Sequence, residues 1–391
     1  MWLPWVSREV YVSNQESSLA VAVAAKAQEL SLSRNIVWIG FQYTTVRDPT
    51  DPSKTKFLEE QAKKINRGEN LTFRSGDLLK EGCYDTAFEG VWGVLHTAAV
   101  VKMGSSDDAY QSIVEPSVKG TQNVLESAKK QSILKRYVHI SSIAAVISFD
   151  RAQAYQEAQE AAKAFDETEW NTWSTVEKGD AYGYAKTQAE KAVLDDQDLS
   201  NQLEAVVSIN PAVVLGPCLS KSHATQSSAR QVTAFLTGNF TPQGYWCWVD
   251  VRDVAKAAVR AFTVDAEKVN GQRFVLSANP STHYSQLGAI IRKVHPAAKG
   301  STQAPGTAII VFALWLCYYL PFLKKLVGYS EIWKFWNLRY EFDTTKSKTI
   351  LGIDYRSIEE TCRDACNSIQ ALIADDPPEP VSMLSYFSVV S

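Results

Sequence analysis

The chain has 391 residues, of which 45% are hydrophobic and 21% are charged, and its formal net charge is −3 at pH 7. This composition excludes a disordered chain, which combines low hydrophobicity with high net charge, and a charge so close to neutral gives no electrostatic reason to expect a nucleic-acid partner. At roughly 150 residues per domain, the length predicts two or three domains, or one large α/β domain with an appendage.

Short apolar runs alternate with amphipathic stretches in the first half of the chain. The apolar runs are rich in β-branched and aromatic residues and predict strands at 10–12, 41–46, 71–73, 93–96, 137–140 and 205–215. The amphipathic stretches predict helices at 18–30, 58–65, 118–130 and 186–194. Strands that alternate with helices in this way predict parallel β-α-β units and a doubly wound sheet.

Three segments stand outside this alternation. Residues 152–164 are polar and helix-prone, which predicts a surface helix or an insert. Residues 308–320 are strongly apolar but fall short of the roughly 20 residues that a membrane span needs. A buried helix or cavity wall, contact with a membrane surface and a true span all remain open for this segment. The Pro-rich stretch that begins at Asp375 breaks helix and predicts a loose tail over 375–391.

Six cysteines occur without a C-x-x-C pair, which argues against a zinc ribbon or a thioredoxin-type site. Cys362 and Cys366 lie one helical turn apart, and we interpret them as buried positions on one helix face. His96 and His139 fall in predicted strands without metal-ligand neighbours, so we interpret them as core residues and predict no metal site. No basic start with a long apolar run marks a secretory leader near Met1. The expected compartment is the cytoplasm, with association with a membrane surface as an addition.

The pattern that carries chemistry combines Tyr182 and Lys186 with the paired serines Ser141 and Ser142. On a helix, positions i and i+4 share a face, so Tyr182 and Lys186 are expected to point into one cleft. An ammonium close to a phenol stabilises the phenolate, and we expect it to lower the pKa of Tyr182 towards working pH. A serine hydroxyl after a buried strand can hydrogen-bond a substrate carbonyl oxygen. Together these groups predict a proton transfer that accompanies a hydride transfer.

Several ordered motifs make the chain resemble the extended short-chain dehydrogenase/reductases of the NAD-dependent epimerase/dehydratase superfamily. Within them it is most similar to the group that holds dihydroflavonol reductases, fungal-type aldehyde and ketone reductases, and 3β-hydroxysteroid dehydrogenases. The motifs that carry the resemblance are 45–49, 76–78, 93–99, 118–124, 137–145, 182–186, 210–217 and 249–254.

The resemblance implies a catalytic set of Ser142, Tyr182 and Lys186. Tyr182 is the implied proton donor in reduction, the second of the two adjacent serines takes the catalytic position, and Lys186 also holds the nicotinamide ribose. The further implied cofactor contacts are Asp77 and Leu78 beside the adenine, Ala98 and Ala99 at the end of the fourth strand, and Pro211 at the nicotinamide.

Arg47 closes the second strand, where the family places an acidic residue when it binds the ribose of NAD. A cation at this position suits the 2′-phosphate of NADP, so NADP(H) is favoured over NAD(H). The neighbouring Asp48 weakens this argument, and a solvated surface arginine is the alternative interpretation.

The first strand-turn-helix departs from the family pattern G-x-x-G-x-x-G, because its three glycine positions hold Asn14, Ser17 and Ala20. Asparagine tolerates the left-handed conformation, and alanine serves at the helix-packing position. Ser17 instead places a side chain where backbone approaches the pyrophosphate. We therefore expect weakened or altered cofactor binding at this turn. Residues 31–39 look like an insertion between the helix and the second strand.

These observations predict an α/β protein with a Rossmann-type doubly wound parallel sheet and a smaller, discontinuous C-terminal substrate lobe. The predicted cofactor domain covers residues 1–217. The lobe lies mainly within 218–374, with 246–275 returning to the Rossmann core and the apolar segment 308–328 covering the cleft.

The predicted function is NADPH-dependent reduction of a ketone or aldehyde, or the reverse oxidation of a secondary alcohol, on a hydrophobic small molecule, as in secondary metabolism. One alternative is a non-catalytic binding protein that keeps the fold but has lost the cofactor turn. Another is a 3β-hydroxysteroid or sterol-decarboxylating dehydrogenase that prefers oxidation with NAD, which peripheral membrane contact through 308–325 would suit. The sequence predicts no particular oligomeric state.

Overall fold

The structure is a computed structural model that describes residues 8–13, 39–64, 71–98, 108–157, 164–225, 228–238, 244–278, 280–300 and 338–374. The strands are β1 (Arg8–Ser13), β2 (Ile39–Val46), β3 (Thr72–Ser75), β4 (Gly93–His96), β5 (Arg136–Ile140), β6 (Ala205–Pro211), β7 (Val213–Leu215), β8 (Tyr245–Trp246), β9 (Trp248–Asp250), β10 (Gln272–Leu276) and β11 (Thr282–His283). The helices are α1 (Pro52–Lys64), α2 (Glu115–Lys129), α3 (Phe149–Glu157), α4 (Ala181–Leu194), α5 (Gln197–Gln202), α6 (Lys221–Thr225), α7 (Ala229–Thr237), α8 (Val251–Thr263), α9 (Ala266–Val269), α10 (Tyr284–Val294), α11 (Thr345–Ile350) and α12 (Ile358–Ile373).

Seven parallel strands form the central sheet in the order β3-β2-β1-β4-β5-β6-β10. The strand order reverses between β1 and β4, because the first crossovers run to one edge of the sheet and the later ones to the other. In doubly wound sheets, ligands bind outside the carboxyl ends of the strands at such a reversal. The predicted doubly wound parallel sheet is confirmed, and the ends of β1 and β4 mark the expected ligand crevice.

Apolar side chains cover both faces of this sheet, because neighbouring residues on a strand point to opposite sides. The face towards α8 is built by a cluster that includes Leu95, Val138 and Val207. The opposite face, towards α2 and the end of α4, is built by a cluster that includes Val94, Tyr137 and Val206. Burial on both faces explains why these strands appear in the sequence as continuous apolar runs.

The predicted single strand over 205–215 is wrong, because the structure divides it into β6 and β7 at Ala212. Strand β6 lies in the central sheet, whereas β7 pairs with β9 in a separate two-stranded sheet. The backbone changes partner within one residue: Ala212 N donates to Leu276 O at 2.8 Å, and Val213 N donates to Cys247 O at 3.1 Å. The residues on both sides of the change are apolar, so hydrophobicity alone does not show it.

The predicted helix over 186–194 begins earlier than expected, at Ala181, so that Tyr182 and Lys186 both lie on α4. Within the predicted helical segment 152–164, α3 ends at Glu157. The predicted helix at 18–30, the inserted-looking stretch 31–38, the apolar segment 308–328 and the tail lie outside the described residues. No helix in the described part of the chain has both the length and the hydropathy of a membrane span.

The C-terminal helix α12 completes a third apolar core with α7 and α10. It begins at Ser357, whose side chain accepts from Glu360 N, and it buries Cys362 and Cys366 on one face as predicted. Polar contacts hold the helix in place: Thr361 Oγ1 donates to Asp250 Oδ2 at 2.8 Å. The boundary at residue 217 between a cofactor domain and a substrate lobe stays a prediction.

Candidate active site

Ser142 is the second residue after β5 and caps the short 3-10 turn Ile143–Ala145. Its backbone is extended, and its Oγ accepts a hydrogen bond from Ala144 N at 3.1 Å. The preceding residue keeps the ladder contact with the neighbouring strand, since Ser141 N donates to Ile209 O at 2.8 Å. The strand end and the cap together place the Ser142 hydroxyl at the carboxyl edge of the sheet.

Tyr182 and Lys186 lie one turn apart on α4, on the same helix face. The helix begins at Ala181 because the Asp180 carboxylate accepts from Gly183 N at 3.0 Å, which satisfies an unpaired amide of the first turn. Lys186 Nζ lies 6.0 Å from the centre of the Tyr182 ring. The Ser142 side chain lies close enough to the Tyr182 hydroxyl to act on its pKa. The structure therefore brings together the three residues of the predicted catalytic set.

The expected lowering of the Tyr182 pKa is wrong for this structure. Burial raises the pKa of Tyr182, and this effect exceeds the opposing influence of the Ser142 side chain. Burial also lowers the pKa of Lys186 to about 8, against the charge of Glu190, which raises it. The loss of water around the phenol is the largest effect on its pKa, because it disfavours the charged phenolate. At neutral pH Tyr182 is therefore the protonated phenol, which is the form that donates a proton.

His96 and His139 lie in β4 and β5 near the lysine, with their rings 5.0 Å apart. Both are buried, and His96 Nδ1 lies 2.7 Å from the Tyr137 hydroxyl oxygen. Burial lowers the pKa of His96 to about 3 and that of His139 well below its usual value, and the charge of Lys186 acts in the same direction. The burial agrees with the interpretation as core residues, although neither ring nitrogen of His139 meets a hydrogen-bond partner among the described residues.

The sequence analysis missed a side-chain cluster that joins the start of α4 to the serine turn. Ser174 Oγ donates to Asp180 Oδ2 at 2.5 Å, and Asn171 Nδ2 donates to Ser174 Oγ at 2.6 Å and to Ala144 O at 2.7 Å. A Cβ atom on Gly183 would lie 2.5 Å from Asp180 Oδ2 and 2.6 Å from Ser174 Oγ. The glycine inside the Tyr-x-x-x-Lys motif is thus required by packing. An aspartate just before a helix is the N-cap signal that points to this cluster.

Glu190, one turn beyond Lys186 on α4, is a second residue that the sequence analysis missed. Its side chain is fully buried. Its carboxylate accepts from Ser141 Oγ at 2.7 Å, from Asn210 Nδ2 at 2.7 Å and from Arg273 Nε at 2.9 Å. The available signal is spacing, because a glutamate four residues after Lys186 falls on the same helix face.

The residues predicted to hold the adenosine end of the cofactor follow β2 and β3. The Arg47 side chain is 71% exposed, and its Nε lies 3.9 Å from Asp77 Oδ2. Leu78 is 2% exposed, and a Cβ on Gly120 would lie 3.0 Å from the Leu78 Cβ, so Leu78 packs below the surface. Contacts of Arg47, Asp77 and Leu78 with a nucleotide stay predictions.

The remaining predicted cofactor residues divide between described and undescribed parts of the chain. Ala98 follows β4 and is buried, and Pro211 is the last residue of β6. The positions outside the described residues are Asn14, Ser17, Ala20 and Ala99.

The described part of the crevice fits a nicotinamide dinucleotide. An exposed guanidinium, that of Arg47, lies at one end. The small side chain of Ala98 lies at the end of β4, where a cofactor backbone can approach. At the other end lies the buried ammonium of Lys186. Lys186 is therefore suited to hold ribose hydroxyls.

A comparison of the sequence with models of protein families identifies the family, and the match covers most strands of the central sheet. The model of the 3-beta hydroxysteroid dehydrogenase/isomerase family matches residues 36–303, more than half of the chain. The chain belongs to this family. The predicted membership of the epimerase/dehydratase superfamily is confirmed, and the unusual turn at 14–20 lies outside the matched residues.

Curated relatives of this family member are reductases. The chain is 33% identical over 254 residues to cinnamoyl-CoA reductase CAD2 of Medicago truncatula, which covers 64% of this chain and 72% of that protein. It is 31% identical over 261 residues to tetraketide alpha-pyrone reductase 2 of Arabidopsis thaliana, covering 65% and 74%. It is 27% identical over 335 residues to dihydroflavonol 4-reductase of Solanum lycopersicum, covering 82% and 75%. The predicted class of oxidoreductase is confirmed.

Two solved structures similar to this family member are complexes with NADPH. Gre2 from Candida albicans has a TM-score of 0.69 and 24% sequence identity, with 94% of this chain and 99% of that chain covered. Yeast methylglyoxal/isovaleraldehyde reductase Gre2 has a TM-score of 0.68 and 22% identity, with the same coverage of 94% and 99%. These similarities confirm the predicted fold.

Proposed function

We propose that the protein is an NADPH-dependent reductase that converts a ketone or aldehyde on a hydrophobic small molecule into an alcohol. The observation that carries the proposal is the meeting of Ser142, Tyr182 and Lys186 at the carboxyl edge of the sheet. Relatives named as reductases of cinnamoyl-CoA, a tetraketide alpha-pyrone and dihydroflavonol support a carbonyl substrate.

The proposed mechanism assigns one task to each of the three side chains. When bound, the reduced nicotinamide supplies a hydride for the carbonyl carbon. The Ser142 hydroxyl donates a hydrogen bond to the carbonyl oxygen and fixes it beside Tyr182. Tyr182 donates its proton to the same oxygen, so that the C=O double bond becomes the C–O single bond of an alcohol. The Lys186 ammonium stabilises the phenolate that remains.

The raised pKa of Tyr182 supports the direction of this reaction. A proton donor must carry its proton before the step, and a phenol whose pKa is raised above its usual value is protonated at neutral pH. The reverse oxidation needs the phenolate as base, which forms only as the pH rises towards that raised pKa. The protonation state of Tyr182 thus suits the reductive step near neutral pH.

The surroundings of Arg47 support a preference for NADP(H) over NAD(H). Asp48 does not neutralise the guanidinium, because its Oδ1 accepts from Thr50 N at 2.9 Å and from Thr50 Oγ1 at 2.7 Å. These hydrogen bonds also lower the pKa of Asp48 and hold its carboxylate within its own turn. The exposed Arg47 guanidinium, whose Nε lies 3.9 Å from Asp77 Oδ2, can also meet a 2′-phosphate at the end of β2.

An Arg47→Ala variant is expected to bind NADPH about 10-fold to 100-fold more weakly, because a hydrogen bond to a charged group contributes about 1.5–3 kcal/mol. The dissociation constant for NADH is expected to change little. Titrations followed by nicotinamide fluorescence measure both constants. Lys268→Ala is the control, since it removes an equal charge beyond the opposite edge of the sheet. An equal loss for both cofactors would refute the role of Arg47.

The proposed function is tested first by titration of the purified protein with NADPH and NADH. Saturable NADPH binding and turnover of at least one carbonyl from a panel that includes isovaleraldehyde and a dihydroflavonol are expected. No binding of either cofactor would support the non-catalytic alternative and overturn the proposal. Faster oxidation of a 3β-hydroxysteroid with NAD⁺ than reduction of any carbonyl would support the hydroxysteroid dehydrogenase alternative, which the family model also fits.

A further inference from the structure

Three segments that carry site residues meet at the carboxylate of Glu190. The first is α4 itself, which carries Glu190 one turn beyond Lys186. The second is the serine turn, because Ser141 Oγ donates to Glu190 Oε2 at 2.7 Å. The third is the end of β6, because Asn210 Nδ2 donates both to Glu190 Oε2 at 2.7 Å and to Ser142 O at 3.1 Å. A single buried carboxylate therefore fixes the Ser142 backbone relative to the helix.

Arg273 on β10 holds Glu190 from the other side. Its Nε donates to Glu190 Oε1 at 2.9 Å and its Nη2 to Glu190 Oε2 at 3.3 Å, and its side chain is 6% exposed. The guanidinium carbon lies 3.7 Å from the centre of the Trp170 ring. The remaining guanidinium hydrogen bonds go to the carbonyl oxygens of Glu167, Glu169 and Ala145. The bond to Ala145 anchors the far end of the serine turn.

We propose that the buried Glu190–Arg273 pair is a positioning device that fixes the Ser142 turn against the helix that carries Tyr182 and Lys186. Stability alone gives a weak reason for such a pair, because replacement of buried ion pairs by apolar residues is often neutral or stabilising. The contacts of this pair instead reach the segments on which the reaction depends. The inference rests on the proposed reductase function, since it assigns a role in that reaction.

The charge of Glu190 also acts on Lys186. In the described part of the chain, the titratable groups that face Lys186 are Glu190 and Tyr182 on the same helix and His96 and His139 from the sheet. The two histidines are neutral near neutral pH, and Tyr182 is protonated. Glu190 is negatively charged and raises the pKa of Lys186 against the effect of burial. Loss of that charge is expected to remove the Lys186 ammonium at a lower pH.

A Glu190→Gln variant keeps the shape of the side chain and removes its charge. The rate is measured with the panel carbonyl that the wild-type protein reduces fastest. We expect kcat to fall about 10-fold to 100-fold, with a smaller change in KM, because a displacement of a catalytic group by about 1 Å can lower the rate about 100-fold. NADPH binding weakens as the pH rises and Lys186 loses its proton, and we expect this loss to move to lower pH in the variant. Amide hydrogen exchange within 141–146 is expected to become faster.

The matched control is Asp253→Asn. The Asp253 side chain is also fully buried and pairs with Arg356, and the substitution removes the charge from that pair. This control is expected to lower the midpoint temperature of unfolding but to keep kcat and the pH dependence of NADPH binding. A Glu190→Leu/Arg273→Met double variant removes both charges. It tests the inference even if the single Glu190→Gln variant does not fold. We expect it to fold but not to recover kcat.

Two results would overturn the inference. One is a folded Glu190→Gln protein with wild-type kcat, NADPH binding profile and exchange at 141–146. The other is a double variant with full kcat, which would reduce the pair to a stabilising contact. If the wild-type protein binds NADPH but reduces no carbonyl, the proposed function fails and the inference is still tested. Hydrogen exchange then decides whether Glu190 positions the turn, and the pH dependence of NADPH binding decides whether Glu190 sets the charge of Lys186.

Discussion

A Tyr182→Phe protein is expected to lose carbonyl reduction by about 100-fold to 10,000-fold, which is the usual contribution of a positioned general acid. The ring stays, so the packing around α4 is preserved, while the proton that the product oxygen needs is gone. Affinity for NADPH is expected to stay within a few-fold of the wild-type value, because the ammonium of Lys186 is unchanged. The rate is measured by loss of NADPH absorbance, and the affinity by nicotinamide fluorescence.

Tyr184→Phe is the matched control for this substitution, because Tyr184 lies on the same helix and is also partly exposed. It removes a hydroxyl of the same kind two positions further along, and kcat is expected to stay within about twofold. A Tyr182→Phe protein with unchanged turnover would refute the assigned proton donor. Equal losses in both variants would show instead that α4 is sensitive to any loss of a hydroxyl.

A Gly183→Ala substitution is expected to impair both folding and catalysis. The added Cβ would lie 2.5 Å from Asp180 Oδ2, 2.6 Å from Ser174 Oγ and 3.0 Å from Asn171 Nδ2, which are short side chains held by hydrogen bonds. Overpacking of this kind typically costs about 1–3 kcal/mol in the free energy of unfolding. The start of α4 must shift, and Tyr182 shifts with it, so kcat is expected to fall about 100-fold.

Thermal unfolding and steady-state kinetics measure the two effects of Gly183→Ala. Gln188→Ala is the control, because it places an alanine at a partly exposed position of the same helix. Alanine favours helix, so the control is expected to keep or slightly raise stability and to leave kcat unchanged. If the Gly183→Ala protein is as stable and as active as this control, the side chains of Asp180, Ser174 and Asn171 rearrange around the added Cβ without loss of stability or activity, and the prediction is wrong.

Much of the fold could be predicted from periodicity and composition. The inner strands β4, β5 and β6 are largely apolar, because both of their faces are buried. The division at Ala212 could not be predicted, since the apolar residues of β6 continue into β7 without a break, while the two segments pair with different strands. That difference depends on where β9 and β10 lie, which is set by parts of the chain far away in sequence.

The site could be predicted at the level of residue identity but not of its electrostatics. The i and i+4 spacing correctly placed Tyr182 and Lys186 on one helix face. The expected lowering of the Tyr182 pKa failed, because sequence spacing reveals a neighbouring charge but not how much water burial removes. Glu190 and Arg273 were missed for a related reason, since their contact joins residues that are 83 positions apart in the sequence.

The place of α12 has a practical consequence for shortened versions of the protein. The helix buries Cys362, Ala365, Cys366 and Ile369 in the core that it shares with α7 and α10. Removal of the chain from Ile358 onwards would expose the apolar surfaces of both helices and leave the buried Asp250 without the hydroxyl of Thr361. Expression of the second half as a soluble fragment, or trimming of the C-terminus for crystallisation, therefore has to keep the chain through Ile373.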